Sequence, residues 1–194
     1  MSDVKEVTAG QPKVGGAVFR APIGTPLPTD AVTALDPAFK DMGYISADGL
    51  TESVSPESET IKDWGGETVF TTMTGRTATV KAKFISALNM EVQKMVHSDA
   101  NVSGDLQTGL TVKVNSAELD HYIYVFEMIE RGGVLHRVVL PDAIPSEIGD
   151  VTYVKNDVVG YDVTLTGMSD STGNSIYHYR AVGAEEETAD EDGE

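Results

Sequence analysis

Four histidines, His97, His121, His136 and His178, are the side chains best suited to bind a metal or move a proton near neutral pH. None stands in the H-x-H or H-E-x-x-H spacing that sets two imidazoles on one face, so no metal site follows from them. His121 and His136 flank a predicted turn and are expected to face one another across a hairpin as a structural pair. Gly167-Met-Ser-Asp-Ser171 fails the G-x-S-x-G nucleophile elbow at its last position. P-loop and dinucleotide glycine patterns do not occur. With no cysteine, the chain has no thiolate nucleophile, no Cys-ligated zinc and no disulfide.

Two acidic patterns remain. Asp99-Ala-Asn101-Val-Ser103-Gly104 looks like the first half of a calcium loop, but the twelfth position is Leu110, where a bidentate Glu is needed. A helix-to-strand turn accounts for the same residues. Glu57 and Glu59 are a carboxylate pair of the kind glycosidases use, yet a single Trp leaves little aromatic surface for a sugar to stack on. The expectation is therefore a protein that is not an enzyme, with no cofactor and no metal.

Any such group would be positioned by a mostly β chain. Its 194 residues, 40% hydrophobic, suffice for one domain that buries roughly 70% of its unfolded surface. Ala78, Val80, Ala82 and Phe84 alternate with Thr77, Thr79, Lys81 and Lys83, which predicts a strand with one buried face. Leu110, Val112 and Val114 alternate likewise. Residues 121–129 are apolar on both faces and require cover on two sides. Arg131-Gly132-Gly133 predicts a tight turn into 134–140. Lys155-Asn156-Asp157 predicts a second, joining 150–154 to 158–166, and a last strand is expected over 174–182. Helical spacing occurs over 89–98, with Asn89 as N-cap, Glu91 in the first turn and Val92, Met95 and Val96 inward. The expected fold over 41–183 is mainly β: a β-sandwich or barrel with one short flanking α-helix and long β-hairpins.

Residues 1–40 contain Gly10, Pro12, Gly15, Gly16, Pro22, Gly24, Pro26, Pro28 and Pro37 without a sustained period, which predicts an extended N-terminal arm. Phe19 and other apolar anchors suit an arm that orders on a partner; the alternative is an arm laid over its own domain. The N-terminus lacks the apolar run of a signal peptide, and no window has the ~20 apolar residues of a membrane span, so synthesis in the cytoplasm without a membrane is expected. Net charge is −17; the tail 184–194 holds seven of those negatives and is expected to be solvated and disordered, which leaves −10 for the body. Such a surface repels nucleic acid phosphates and argues against sequence-reading DNA or RNA proteins.

Asp48-Gly49, between 42–47 and 50–54, predicts a type I′ hairpin turn. Residues 55–66 then read as a strand ending at Trp64 and a Gly65-Gly66 pivot. A lone Trp on such a strand is either ordinary core or a subunit anchor.

Taken in order, Gly43-Tyr44, Asp48-Gly49-Leu50-Thr51-Glu52-Ser53, Ile61 three residues before Trp64-Gly65-Gly66, a threonine-rich strand and a short helix opening on Asn89 resemble the major tail protein (tail tube protein) family of long non-contractile-tailed bacteriophages, the siphophages. The resemblance covers roughly residues 20–180. It implies a β-sandwich with a flanking helix, six copies per ring, and rings stacked into a tube that conducts the DNA genome. Hairpins would join edge to edge into a continuous inner barrel, which also removes the aggregation hazard of exposed edges. Implied partners are further copies of the chain and the tape measure, tail tip and terminator proteins, in a virion tail built from protein made in the host bacterium. The assembly candidates are Phe19, Tyr44, Gly49, Ile61, Trp64, Gly65 and Gly66. Candidates for an acidic lumen that keeps DNA from sticking are Glu52, Glu57, Glu59, Asp63, Asp150 and Asp162. The competing reading is a β-sandwich ligand-binding or virion-decorating module, for example a carbohydrate-binding one.

Overall fold

The computed structural model describes residues 8–13 and 17–182. In chain order the strands are β1 (Gln11–Pro12), β2 (Val18–Pro22), β3 (Lys40–Asp41), β4 (Ile45–Lys62) and β5 (Thr68–Phe84). The helix α1 (Met90–His97) follows, then β6 (Val102–Ser103), β7 (Thr111–Val112), β8 (Tyr122–Glu130), β9 (Val134–Ile148), β10 (Tyr161–Gly167) and β11 (Tyr177–Val182). One antiparallel sheet has the order β3-β2-β8-β9-β10-β5-β4, and β6 and β7 form a separate pair. The long strand β9 joins the two walls of the fold. Its first half pairs with β11 and its last residues with β10, end to end on one flank, while β8 takes the other flank.

The sheet folds over a core made by both walls and the helix: Val18, Val80, Phe84, Phe126, Leu140, Val163 and Leu165 meet Val92 and Met95 of α1. Each large side chain buried there contributes about 1.5–3 kcal/mol of transfer free energy. As the alternation predicts, Ala78, Val80, Ala82 and Phe84 are the buried face of β5. The doubly apolar β8 is covered on both sides. Tyr124 and Phe126 face the main core, and Ile123 and Val125 face a second cluster with Ala21, Phe39 and Val139. The helix is capped as expected: the Asn89 side chain accepts a hydrogen bond from the Glu91 backbone N–H, and Val92, Met95 and Val96 are buried.

Four expectations are corrected. The arm expected over 1–40 to order on a partner is instead, from residue 17 on, laid over its own domain, as the alternative had it: β2 pairs with β8 along its length, and Leu27 and Leu35 pack on the second cluster. Arg137 fixes the intervening loop by donating to the carbonyls of Asp30 (2.7 Å) and Thr33 (2.9 Å). Second, Asp48-Gly49 is a bulge inside β4 rather than a turn. β5 offers an unbroken ladder, and β4 follows it with Ile45 opposite Phe84 and Leu50 opposite Ala82; the surplus residues are absorbed at Gly49, φ +74°. Third, 150–154 forms no hairpin with 158–166. Both flanks of β10 are already occupied, by β5 and by the end of β9, so that segment has no ladder to join. Fourth, register sets Met128 opposite His136, so His136 meets His178 of β11 while His121 pairs with Asp142 at 2.7 Å. The acidic tail, 184–194, lies outside the described residues.

Candidate functional site: an exposed two-stranded ribbon

β5 is rich in Thr, Val and Phe, residues that favour the pleated conformation, and it holds a partner poorly suited to form a strand alone. β4 contains Asp48, Gly49, Pro56 and a run of Ser and Glu. The pair stays together through cross-strand contacts over 14 registered positions. β10 supports β5 only from Ala78 to Phe84. Residues 68–77 and their β4 partners therefore project as a bare ribbon of about 30 Å, at ~3.3 Å per residue. A two-stranded ribbon has little stability of its own in water.

The turn at the tip is built by Asp63. Its N–H donates to the Glu67 carbonyl (2.8 Å), its carbonyl accepts from Gly66 (3.1 Å), and its carboxylate accepts from the Glu67 N–H (2.8 Å). Gly66 at φ +89° takes a conformation that a side chain would disfavour. Trp64 stands at this tip and is fully exposed, so the core reading of that residue does not hold within one chain. Just behind it Ile61 and Phe70 are directly opposed across the strands, both more than half exposed, with Val69 and Met73 exposed as well. Phe70 and Met73 were missed in the sequence. Placing the turn at Asp63-Trp64-Gly65-Gly66 instead of Asp48-Gly49 would have exposed the Ile61–Phe70 pair. Tyr44 is exposed at the foot of the ribbon, where its N–H donates to Ser86 Oγ at 2.8 Å. Phe19 instead packs partly into its own second cluster.

The acidic candidates divide by environment. Glu57 Oε1 accepts from the Thr77 hydroxyl at 2.7 Å, and Glu59 is exposed beside it on the ribbon. Asp150 is exposed in the irregular segment before β10. Asp63 caps the turn. Asp162 lies opposite Lys83 and 3.4 Å from Lys81. Glu52 is opposite the buried Val80, so its side chain is on the core side of the sheet.

There Glu52 ends a polar chain along the rim of the core. Glu130 contacts His136 Nδ1 at 2.7 Å, His136 Nε2 contacts His178 Nδ1 at 3.2 Å, and His178 Nε2 contacts Glu52 at 3.2 Å. Arg180 reaches Glu130 at 3.2 Å. Burial, assisted by the Arg180 charge, holds His136 below the usual imidazole pKa. The chain ties the root of the ribbon to β8, β9 and β11. At the other end of β8, Arg20 lies over the Tyr122 ring and bridges Glu91 (2.7 Å) and Asp99 (3.0 Å). Burial pushes Tyr122 up to about 12, reinforced by its hydrogen bond to Asp99. Burial raises Asp99, but its bonds from Tyr122 and Arg20 outweigh that and hold it below the usual carboxylate value. These are structural pairs. Among the described residues no cluster of three or more His, Cys, Asp or Glu is arranged to hold a metal, and no helix is long and apolar enough to cross a membrane.

What this geometry exposes is a long, partly apolar ribbon whose outer part no other strand supports among the described residues. Comparison with solved structures returns, among others, the cryo-EM structure of the anti-feeding prophage cap (AFP tube terminating cap), at 10% identity and a TM-score of 0.45, covering 93% of this chain and all of that one. No curated protein matches. Residues 2–182 match the family described as "Phage tail tube protein", and the chain thus belongs to the phage tail tube protein family, a family of structural tail components.

Proposed function

We propose that this protein forms the tail tube by self-assembly into rings of six that stack, with the ribbon edges completed by identical neighbours and the bore conducting the genome. The observation that supports this most directly is the unsupported ribbon: the outer edge of β4, and β5 from 68 to 77 on the β10 side, have no strand partner among the described residues. Exposed edges of that length invite pairing, and closing a barrel satisfies all of them together. The role needs no chemistry from the chain. Its partners are other copies and, at the ends and centre of the tube, the terminator, tail tip and tape measure proteins.

If the ribbon sheet lines the bore, the surface offered to DNA is its face away from the core. That face alternates with the buried one and carries Thr51, Ser53 and Ser55 of β4, Thr77, Thr79, Lys81 and Lys83 of β5, and Asp162, Thr164 and Thr166 of β10. It is rich in hydroxyls and mixed in charge, while the unneutralised carboxylates Glu57 and Glu59 lie farther out on the ribbon. Non-adhesion would then come from the absence of a cationic track as much as from repulsion. Electron microscopy of concentrated full-length protein tests the reading: six-fold rings or tubes support it, and uniform small particles at every concentration, or glycan binding by them, reject it in favour of a ligand-binding module.

A further inference from the structure

The end of the domain opposite the hairpin tip has an open groove of about 700 Å³, between the turn 85–89 and the segment 149–160. Its walls are Ile85, Leu88, Tyr153 and Val158, and Tyr161 forms part of its floor. Leu88 is 70% exposed, Tyr153 75% and Val158 55%. The polar groups beneath are satisfied: the Gln93 amide donates to the Ala87 carbonyl (2.5 Å) and to the Tyr161 hydroxyl (3.0 Å). Among the described residues, no buried unpaired donor or acceptor there calls for a small polar ligand. The groove is suited to an apolar one.

The same chain offers a matching projection. Trp64, Ile61 and Phe70 present an aromatic and aliphatic ridge at the ribbon tip. Tip and groove adjoin opposite ends of β5, which begins four residues after Trp64 and ends at Phe84, next to Ile85. At ~3.3 Å per residue its 17 residues span about 55 Å. The tip cannot fold back along its own paired strand to reach that distance. Only another copy can bring a tip to the groove.

We propose that the hairpin tip of one copy docks in the groove of the next, with the Trp64 indole between Leu88, Tyr153 and Val158. Knob and socket on different parts of one surface give a heterologous contact, which repeats from copy to copy instead of closing on a pair. An exposed Trp delivers 150–250 Å² of contact area while losing few rotors, a property of interface hot spots. This inference rests on the self-assembly reading and adds the mating surface to it.

Because the chain lacks cysteine, introduced pairs report the contact directly. Full-length Trp64→Cys is mixed under assembly conditions with Leu88→Cys, with Val158→Cys, or with Ser171→Cys in the turn that follows β10, then oxidised. Covalent dimers with the first two and not the third are expected. Leu88→Asp and Tyr153→Asp, at exposed positions, should keep the wild-type circular dichroism melt and raise the critical concentration for assembly about 30-fold or more. Normal assembly by both Asp variants, with cross-linking no higher than at Ser171→Cys, overturns this docking and leaves self-assembly standing. A wild-type chain that remains monomeric at all concentrations overturns both.

Discussion

Phe70→Ser separates what the ribbon does for the monomer from what it does in the proposed assembly. In one chain Phe70 is 56% exposed and its cross-strand partner Ile61 is 55% exposed, so the pair shields little surface. Breaking it should cost the monomer no more than about 0.5–1 kcal/mol, the range of an exposed cross-strand pair. A phenylalanine with about half of its ~150–250 Å² still exposed has roughly 100 Å² left to bury against a neighbour. At ~25 cal/mol per Å² that is about 2.5 kcal/mol per contact, and after the cost of ordering the side chain about 2 kcal/mol remains, or ~30-fold in the concentration at which assembly begins. Urea unfolding at low concentration measures the first quantity, and sedimentation or light scattering over a concentration series the second. A monomer destabilised by 2 kcal/mol or more with an unchanged assembly threshold would show that Phe70 is a core residue of the single chain, and the ribbon would lose its assembly role.

Two predictions concern the body that holds the ribbon. Arg137→Met leaves the buried Glu127 carboxylate with Lys13 alone, 3.0 Å away and partly exposed. The loss should be about 3 kcal/mol in urea unfolding, with faster hydrogen exchange in the 27–36 loop, and adding Glu127→Gln should recover part of it. Asp99 is held below its ordinary pKa, so its stabilising contribution is complete above about pH 4, the unfolded value, and disappears as pH falls through the lower folded value. Asp99→Asn should flatten stability against pH below about 4, measured by melting in buffers from pH 5 to 2.5, and leave the slope above 5 unchanged.

The alternation in β5, the doubly apolar β8 and the Asn89 cap were legible because the pattern that announces each lies within one short segment. The misread parts depend on partners distant in sequence. Asp48-Gly49 has the local chemistry of a hairpin turn, and what overrules it is the ladder offered by β5, thirty residues later. Val18–Pro22 looked like an arm because its flanking prolines and glycines hide a five-residue strand whose partner, β8, is a hundred residues away. The Glu130–His136–His178–Glu52 chain joins four strands, and no spacing within any one of them announces it.

An exposed edge of 18 residues should be an aggregation site, so the ribbon must select its partners. β4 carries features that oppose indiscriminate pairing. Pro56 removes a backbone donor, register shifts interrupt the ladder at Glu57/Ser58 and Ile61/Lys62, and Glu57 and Glu59 add like charges. A generic strand cannot match an edge interrupted at these positions, whereas identical copies repeat the same interruptions at fixed offsets. In the proposed assembly, specificity then lies in the irregularities and affinity in the apolar tip. Combining Pro56→Val with Glu59→Val should therefore keep the monomer folded but convert ordered assembly into irregular aggregates, visible by electron microscopy and by thioflavin fluorescence. If the double variant still builds the same regular particles as wild type, these features do not govern pairing, and selectivity must come from the docking contacts alone.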